Sequence, residues 1–398
     1  MSSFFMNQPP PDEIRRRVEG YPVWAEVDLD AIGRNLDTVR RLTGAEVVPC
    51  VKSNAYGHGL AAVVAYLMTK GVTRFLVAKL WEVRHIRGTG LGCEVINMDP
   101  LFTREQYREA VELDLTQVVY HMESAAALSR AAVSAGTVAP VWVKVDTGLG
   151  RVGVVHTEAA GLIEHISKLK GVRIDGVFST LLEDDSDEQQ IRRFRQLREE
   201  LESKGVHVDT WSLASSHGVF FRPGGHLDAV RPGVMLFGFY PVPEARSIGV
   251  ALHQALSLKG RLEHVKTVEA GTPLTYGGSY VASKRMRVGT MHMGYSDGYL
   301  RQLSRKGLVR VGDRVCPIIG GVSINHLLVD LTGVDAGVGD VVEAVSREGP
   351  NSAQALCDLA GVEPYQLAVW MSSLIPRVYT MGGEPVALSE PQLVERRT

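Results

Sequence analysis

The sequence is short of cysteine, of long apolar runs and of any excess of one charge, and each shortage removes a class of protein. Its 398 residues hold four cysteines, Cys50, Cys93, Cys316 and Cys357. They lie far apart with no Cys-x-x-Cys spacing, which excludes a disulfide framework and a cysteine-based zinc or redox centre. They read as small buried hydrophobes in a reducing cytosol. No run of about 18 uncharged apolar residues exists, so no segment reads as a membrane span. The first eleven residues lack the basic start and apolar core of a secretory signal, and a cytoplasmic location is expected. Lys plus Arg is 43 against Asp plus Glu at 45, a formal net charge of -2, which argues against a dedicated nucleic-acid binder.

What is present is ordinary globular composition, with 45% hydrophobic and 22% charged residues, enough to build a large core. The length suits two or three domains, or one large α/β barrel with attachments. Residues 1–22 read as a tail, a proline run followed by a short solvated helix. From Trp24 onward, β-branched apolar runs alternate with segments of helical period, the pattern of repeated βα units. Candidate strands fall at 47–51, 75–78, 94–97, 116–120, 140–145, 172–178, 208–213 and 228–230. Eight such units fit a closed TIM-type (β/α)8 barrel, with an open doubly wound sheet as the competing topology. After about Pro241 the long helical periods stop, and short strands divided by Gly and Asp turns predict a second, all-β domain. The expected division is a barrel over 23–245, whose first strand joins the β domain in one version, and a β domain over 246–398. A final helix is expected over 365–373.

Barrel chemistry sits where the strands end. The first strand gives way to Lys52-Ser53-Asn54-Ala55-Tyr56-Gly57-His58-Gly59. A lysine there has a desolvated stem and an amine in the barrel mouth, and can bind a carbonyl as a Schiff base, pyridoxal phosphate included; the plainer reading is a surface lysine. The last strand ends in Val230-Arg231-Pro232-Gly233-Val234, where glycine lets backbone N–H groups approach an anion, although Arg-Pro-Gly alone is only a turn signal. The fifth strand runs into a glycine-rich loop that presents Arg151. In the β domain, Tyr276 and Tyr295 stand in tyrosine-rich turns. No metal site is read.

Taken in order, these motifs resemble the alanine racemase family, enzymes that use pyridoxal 5'-phosphate. The resemblance runs from Trp24-Ala25-Glu26-Val27-Asp28 to Pro376-Arg377-Val378-Tyr379 and is carried most specifically by the Lys-x-Asn-Ala-Tyr-Gly-His-Gly motif. It implies a racemase that exchanges the α-proton of a small amino acid between two bases. Lys52 would carry the cofactor and act as one base, and Tyr276 would be the other. Arg231 would face the pyridine nitrogen. Tyr56, Ser216, Gly233, Val234 and Tyr365 match phosphate-binding positions. Arg151, Tyr295 and Ile324 would meet the substrate, and Lys144 occupies a position carbamylated in some members. It further implies a homodimer in which the β domain lends its tyrosine to the partner's barrel.

The match departs from the family pattern around the site. Thr180 and Ser212 stand where histidines belong, which should loosen the network around the ring-facing arginine. Ile324-Asn325 replaces a Met-Asp pair and removes a carboxylate. These departures leave open a different amino acid, another outcome on the same fold such as epimerisation or decarboxylation, and a non-catalytic cofactor-binding protein.

Overall fold

Strand-length apolar stretches and amphipathic helices alternate between Glu46 and Val230, and the chain winds them into a closed ring. In the computed structural model, which describes residues 3–363 and 365–391, the ring runs through Glu46–Val47, Arg74–Val77, Glu94–Asn97, Thr116–Val119, Ala139–Asp146, Val172–Phe178, Thr210–Ser212 and Ala229–Val230. Neighbouring strands are parallel throughout. Closure comes just past the first strand, where Val51 N–H donates to Leu76 O and Leu76 N–H to Pro49 O, both at 2.9 Å. An open sheet is thereby excluded, and no barrel edge is left unpaired.

The barrel helices bury one stripe each. In Asp187–Ser203, the buried Ile191, Phe194, Leu197 and Leu201 recur at three- and four-residue steps, the period that keeps them on one face. Helix Leu29–Thr43 begins where the Asp28 side chain accepts the Ala31 N–H at 3.1 Å. Its buried Asn35 donates to the carbonyls of Leu236 and His253 at 3.0 and 2.8 Å, tying the helix to the segment that leaves the barrel.

The second sheet is antiparallel apart from one pair. Strand Leu256–Val268 bends so that one half pairs with Val341–Val345 and the other with Met286–Met291. The path then continues through Leu327–Asp330, Arg314–Ile319 and Leu308–Val311 back to Val341–Val345. Strand Val23–Asp28 joins this sheet, antiparallel to Leu256–Val268 and parallel to Arg377–Met381, whose hairpin partner is Glu384–Ser389. The first and the last strands of the described residues therefore lie in the same sheet.

Two local features differ from the sequence expectation. Helix Pro11–Glu19 is not simply solvated: Ile14 is fully buried and clusters with Trp24 and Val378, because Ile14 and Val18 lie four apart on one face. The C-terminal helix is only one turn, Gln366–Val369, while an unexpected one spans Ala353–Ala360. Ser352 caps the latter by accepting the Ala355 N–H, and left-handed Gly361 ends it. Both end signals stand in the sequence.

Candidate active site

The first barrel strand ends in backbone that L-residues rarely adopt. Ser53, Asn54, Ala55 and Tyr56 all have φ between 50° and 56°, one turn of left-handed helix directly after Lys52. Such a turn costs roughly 1–2 kcal/mol per residue, so its surroundings must enforce it. The buried Glu82 carboxylate accepts N–H bonds from Asn54, Ala78 and Lys79 at 3.0–3.1 Å. The Asn54 side chain accepts from Leu60 N–H at 2.8 Å. Buried Arg377, at the start of strand Arg377–Met381, donates to Gly57 O at 2.8 Å. Gly57 (φ 82°) lies so close to the Ala368 carbonyl that a Cβ would collide with it. Strain held this firmly is a mark of functional sites.

His58 completes the support. Its ring stacks on Phe237 at 4.4 Å, and Nδ1–H faces the carbonyls of Ala55 and Tyr56. Burial pulls its pKa down to about 4, so it is a neutral structural donor rather than an acid–base group.

Lys52, Tyr56, Arg151, Ser216, Arg231, Gly233, Val234 and Tyr365 line one cavity of about 460 Å³ at the C-terminal end of the barrel strands. At one side, Ser216 Oγ accepts the N–H groups of Gly233 and Met235 at 3.0 and 3.4 Å. With both acceptances used, its own hydroxyl proton is free to be given to an anion. A Cβ on Gly233 would strike the Tyr56 ring. Burial, then the nearby Cys50 and Tyr365, hold the Tyr56 pKa well above the usual phenol value, so Tyr56 is a neutral donor. Its ring meets that of Tyr365 edge-on at 6.5 Å.

Deeper in, Arg231 donates to Ser212 Oγ at 2.5 Å and to the Ser179 carbonyl. Burial lowers its pKa to about 10, which still leaves a cation at neutral pH. The short Ser212 side chain, standing where the resemblance expects a histidine, reaches the guanidinium directly. Lys144 donates to Thr180 Oγ1 at 2.5 Å. Burial first, then the neighbouring Arg231 and Arg151, hold its pKa well below the ordinary lysine value. Lys144 and Arg231 both pack on the Phe178 ring, at 4.6 and 4.8 Å from its centre.

Among the lining residues that escaped the sequence reading are Cys50 and Phe178. Cys50 lies two before Lys52, the spacing that puts both on one side of an extended strand, and that signal was available. Phe178 closes the sixth strand, but an aromatic there looks like any core residue until the lysine and arginine are seen stacked on it.

The β-domain residues are elsewhere. Tyr276 is 89% exposed, Tyr295 42% and Ile324 55%, and none of them lines the barrel cavity. Tyr276 instead borders a separate cavity of about 300 Å³ with Ser323 and His326. It stands in a turn behind Thr275, whose φ is 62°. Within a single chain the barrel residues are recessed in one cavity and these β-domain residues face outward, away from it.

A strand-end lysine, a buried arginine and a hydrogen-bonded serine–glycine corner in an eight-stranded barrel, followed by a β domain, define a class of architecture. The comparisons narrow it. The model for the alanine racemase N-terminal domain matches residues 27–241, and that for the alanine racemase C-terminal domain matches 255–379. An alanine racemase of Carboxydothermus hydrogenoformans is 34% identical over 90% of this chain and 99% of its own length. One from Methanococcus maripaludis is 30% identical over the same shares. Among solved structures, alanine racemase of Clostridium difficile superposes with a TM-score of 0.89 at 26% identity, covering 94% of this chain and all of that one. That of the D-cycloserine producer Streptomyces lavendulae gives 0.84 at 30% identity, over 91% and 98%. The chain belongs to the alanine racemase family, and it is an amino-acid racemase.

Proposed function

We propose that the chain interconverts the L and D forms of alanine or a related small amino acid, using pyridoxal 5'-phosphate held in the barrel-mouth cavity. The observation that carries this reading is the convergence of Lys52, Arg231 and the Ser216–Gly233 cradle on one cavity, with the lysine fixed by an enforced left-handed turn. The residues fit the group chemically. Ser216 and Tyr56 offer hydroxyl protons to a phosphate, Gly233 leaves room beside them, and Lys52 offers an amine to an aldehyde.

When bound, that cofactor supplies an electron sink that acidifies the substrate Cα–H. The protein's part is to position and to move protons. Racemisation removes a proton from one face of Cα and returns one to the other, so it needs two bases on opposite sides. Lys52 Nζ serves one face and Tyr276 Oη the other. Because Tyr276 is exposed and outside its own chain's cavity, it serves the barrel of a second copy in a homodimer. Arg231 would face the pyridine nitrogen as a permanent donor; with no proton to give up at neutral pH, it keeps that nitrogen unprotonated and moderates the sink. Arg151, at the cavity rim, would pair with the substrate carboxylate. Tyr295 and Ile324 would border the substrate from the partner side.

The lowered pKa of Lys144 favours a neutral amine, which can add CO2 to form a carbamate with loss of a proton. The flanking Arg231 and Arg151 would stabilise the resulting anion. The formal net charge of -2 and the four buried free cysteines suit work in the cytoplasm on a small substrate, without nucleic acid. Among the described residues no helix is long and apolar enough to cross a membrane.

Exchange of the α-proton in D2O, followed by proton NMR across the small amino acids, tests the proposal. Wild-type protein should exchange and racemise at least one of them, and Lys52→Ala should do neither and yield no borohydride-trapped cofactor adduct. Wild-type protein loaded with the cofactor but exchanging none of them, or a Lys52→Ala protein that still traps the adduct, would overturn it.

A further inference from the structure

We propose that Glu263, His292 and His326 form a binding site for a divalent transition-metal cation of the zinc class, on the outer face of the β domain. The three side chains come from adjacent strands or their ends. Glu263 lies on Leu256–Val268, His292 directly follows Met286–Met291, and His326 directly precedes Leu327–Asp330. Leu262, Met291 and Leu327 stand opposite one another across these strands, and all are buried. Successive side chains on a strand point to opposite faces, so the residues next to this apolar row project outward together.

Glu263 needs an extra device to join the two histidines. It falls at a β-bulge, between Leu262 opposite Met291 and His264 opposite Thr290, and has no opposite residue of its own. Bulges re-aim side chains in this way. The result is that one carboxylate reaches both imidazoles: Glu263 Oε2 lies 3.1 Å from His292 Nδ1, and Oε1 lies 2.9 Å from His326 Nε2. The candidate ligand atoms of all three residues lie within 4.8 Å of one another, and the histidine rings meet edge-on at 5.2 Å.

This is a donor set that zinc takes, gathered close to the spacing it needs. Two ligands at 2.0–2.1 Å from a tetrahedral ion stand about 3.4 Å apart, and two imidazoles with one carboxylate leave a fourth position for water or another ligand. Small adjustments of rotamer would suffice. The backbone beneath is already laced: Ser323 Oγ donates to His326 O at 2.7 Å, and Asn325 Nδ2 to Ser296 Oγ at 2.9 Å. An ion here would staple three strands at the place from which Tyr295 and Ile324 extend, beside the cavity that Tyr276 and His326 share. The bare alternative is a pair of Glu–His contacts that bind no metal.

The test counts ions and does not depend on the racemase reading. The full-length protein is stripped with EDTA, dialysed against micromolar Zn2+ and assayed for bound metal, and the run is repeated with Co2+ to read the visible absorption of a four-coordinate nitrogen–oxygen site. One ion per chain is expected. The His292→Ala/His326→Ala variant should lose it, with affinity down at least about 100-fold, while its melting in EDTA stays close to wild type. Glu263→Gln, which keeps shape and removes charge, should weaken binding without altering the fold and covers the case in which the double variant folds badly. Wild-type protein that takes up no ion, or variants that bind as much as wild type, would overturn the site.

Discussion

The barrel mouth and the tyrosine face of the β domain, read above as complementary halves of one chemistry, stand in opposite physical settings. In the mouth, basic side chains are buried and crowded: Arg231 and Lys144 flank one phenylalanine ring, and burial lowers the pKa of both. On the β domain, Tyr276 is almost fully exposed and lies in a short turn. The mouth pays for its geometry with backbone strain and desolvation, enforced by Glu82, Arg377 and the packed Gly57. The tyrosine face shows no such burial within one chain. On the proposed reading, the contrast means that one half is finished by folding and the other by association, since an exposed phenol becomes a selective base only when a second surface covers it.

Substitutions can be ranked by how hard they strike at that division. Tyr276→Phe should cut kcat by about 10²–10⁴, the usual worth of a positioned acid–base group. It should leave cofactor absorbance and melting temperature unchanged, because the residue is outside the cavity. A parallel loss of bound cofactor would break the division.

Ser212→Ala strikes the folded half. It leaves the buried Arg231 with fewer acceptors, and stability should fall by about 1–3 kcal/mol, read as a lower melting temperature, with a smaller loss of kcat than Tyr276→Phe. Unchanged melting would show that the arginine does not depend on this serine.

Lys144 gives the smallest effect and sharpens the electrostatic side. Between its lowered folded pKa and the ordinary value near ~10.4, the unfolded chain binds the proton more readily than the folded one. Stability from this group therefore rises with pH across that window. In CO2-free buffer Lys144→Met should melt above wild type at neutral pH, with the gap closing towards pH 10. Added bicarbonate should raise wild type and leave the variant unmoved. A gap that widens with pH would contradict the sign.

The residues of the mouth were legible because they are local. Lys52, Arg151 and Arg231 each stand where a β-branched run gives way to glycine, a pattern visible along the chain. The left-handed turn was not, since serine, alanine and tyrosine have no preference for positive φ and distant groups such as Glu82 and Arg377 help impose it. Burial of Ile14 depended on a strand more than 350 residues away. The grouping of Glu263 with His292 and His326 depended on a bulge, which shifts register by one residue and leaves no mark in hydrophobic alternation. The helix Ala353–Ala360 was legible in its Ser352 and Gly361 ends, but two turns are too few for its period to stand out.

The central claim, that one working site needs two chains, is tested most directly by complementation. Lys52→Ala and Tyr276→Phe proteins, each inactive alone, are co-refolded and their racemase activity measured. A mixed dimer has one site with both Lys52 and Tyr276 intact, so random pairing should restore about a quarter of wild-type activity. A mixture as inactive as its parents, although mixed dimers are shown to have formed, would place both bases within one chain and contradict the account.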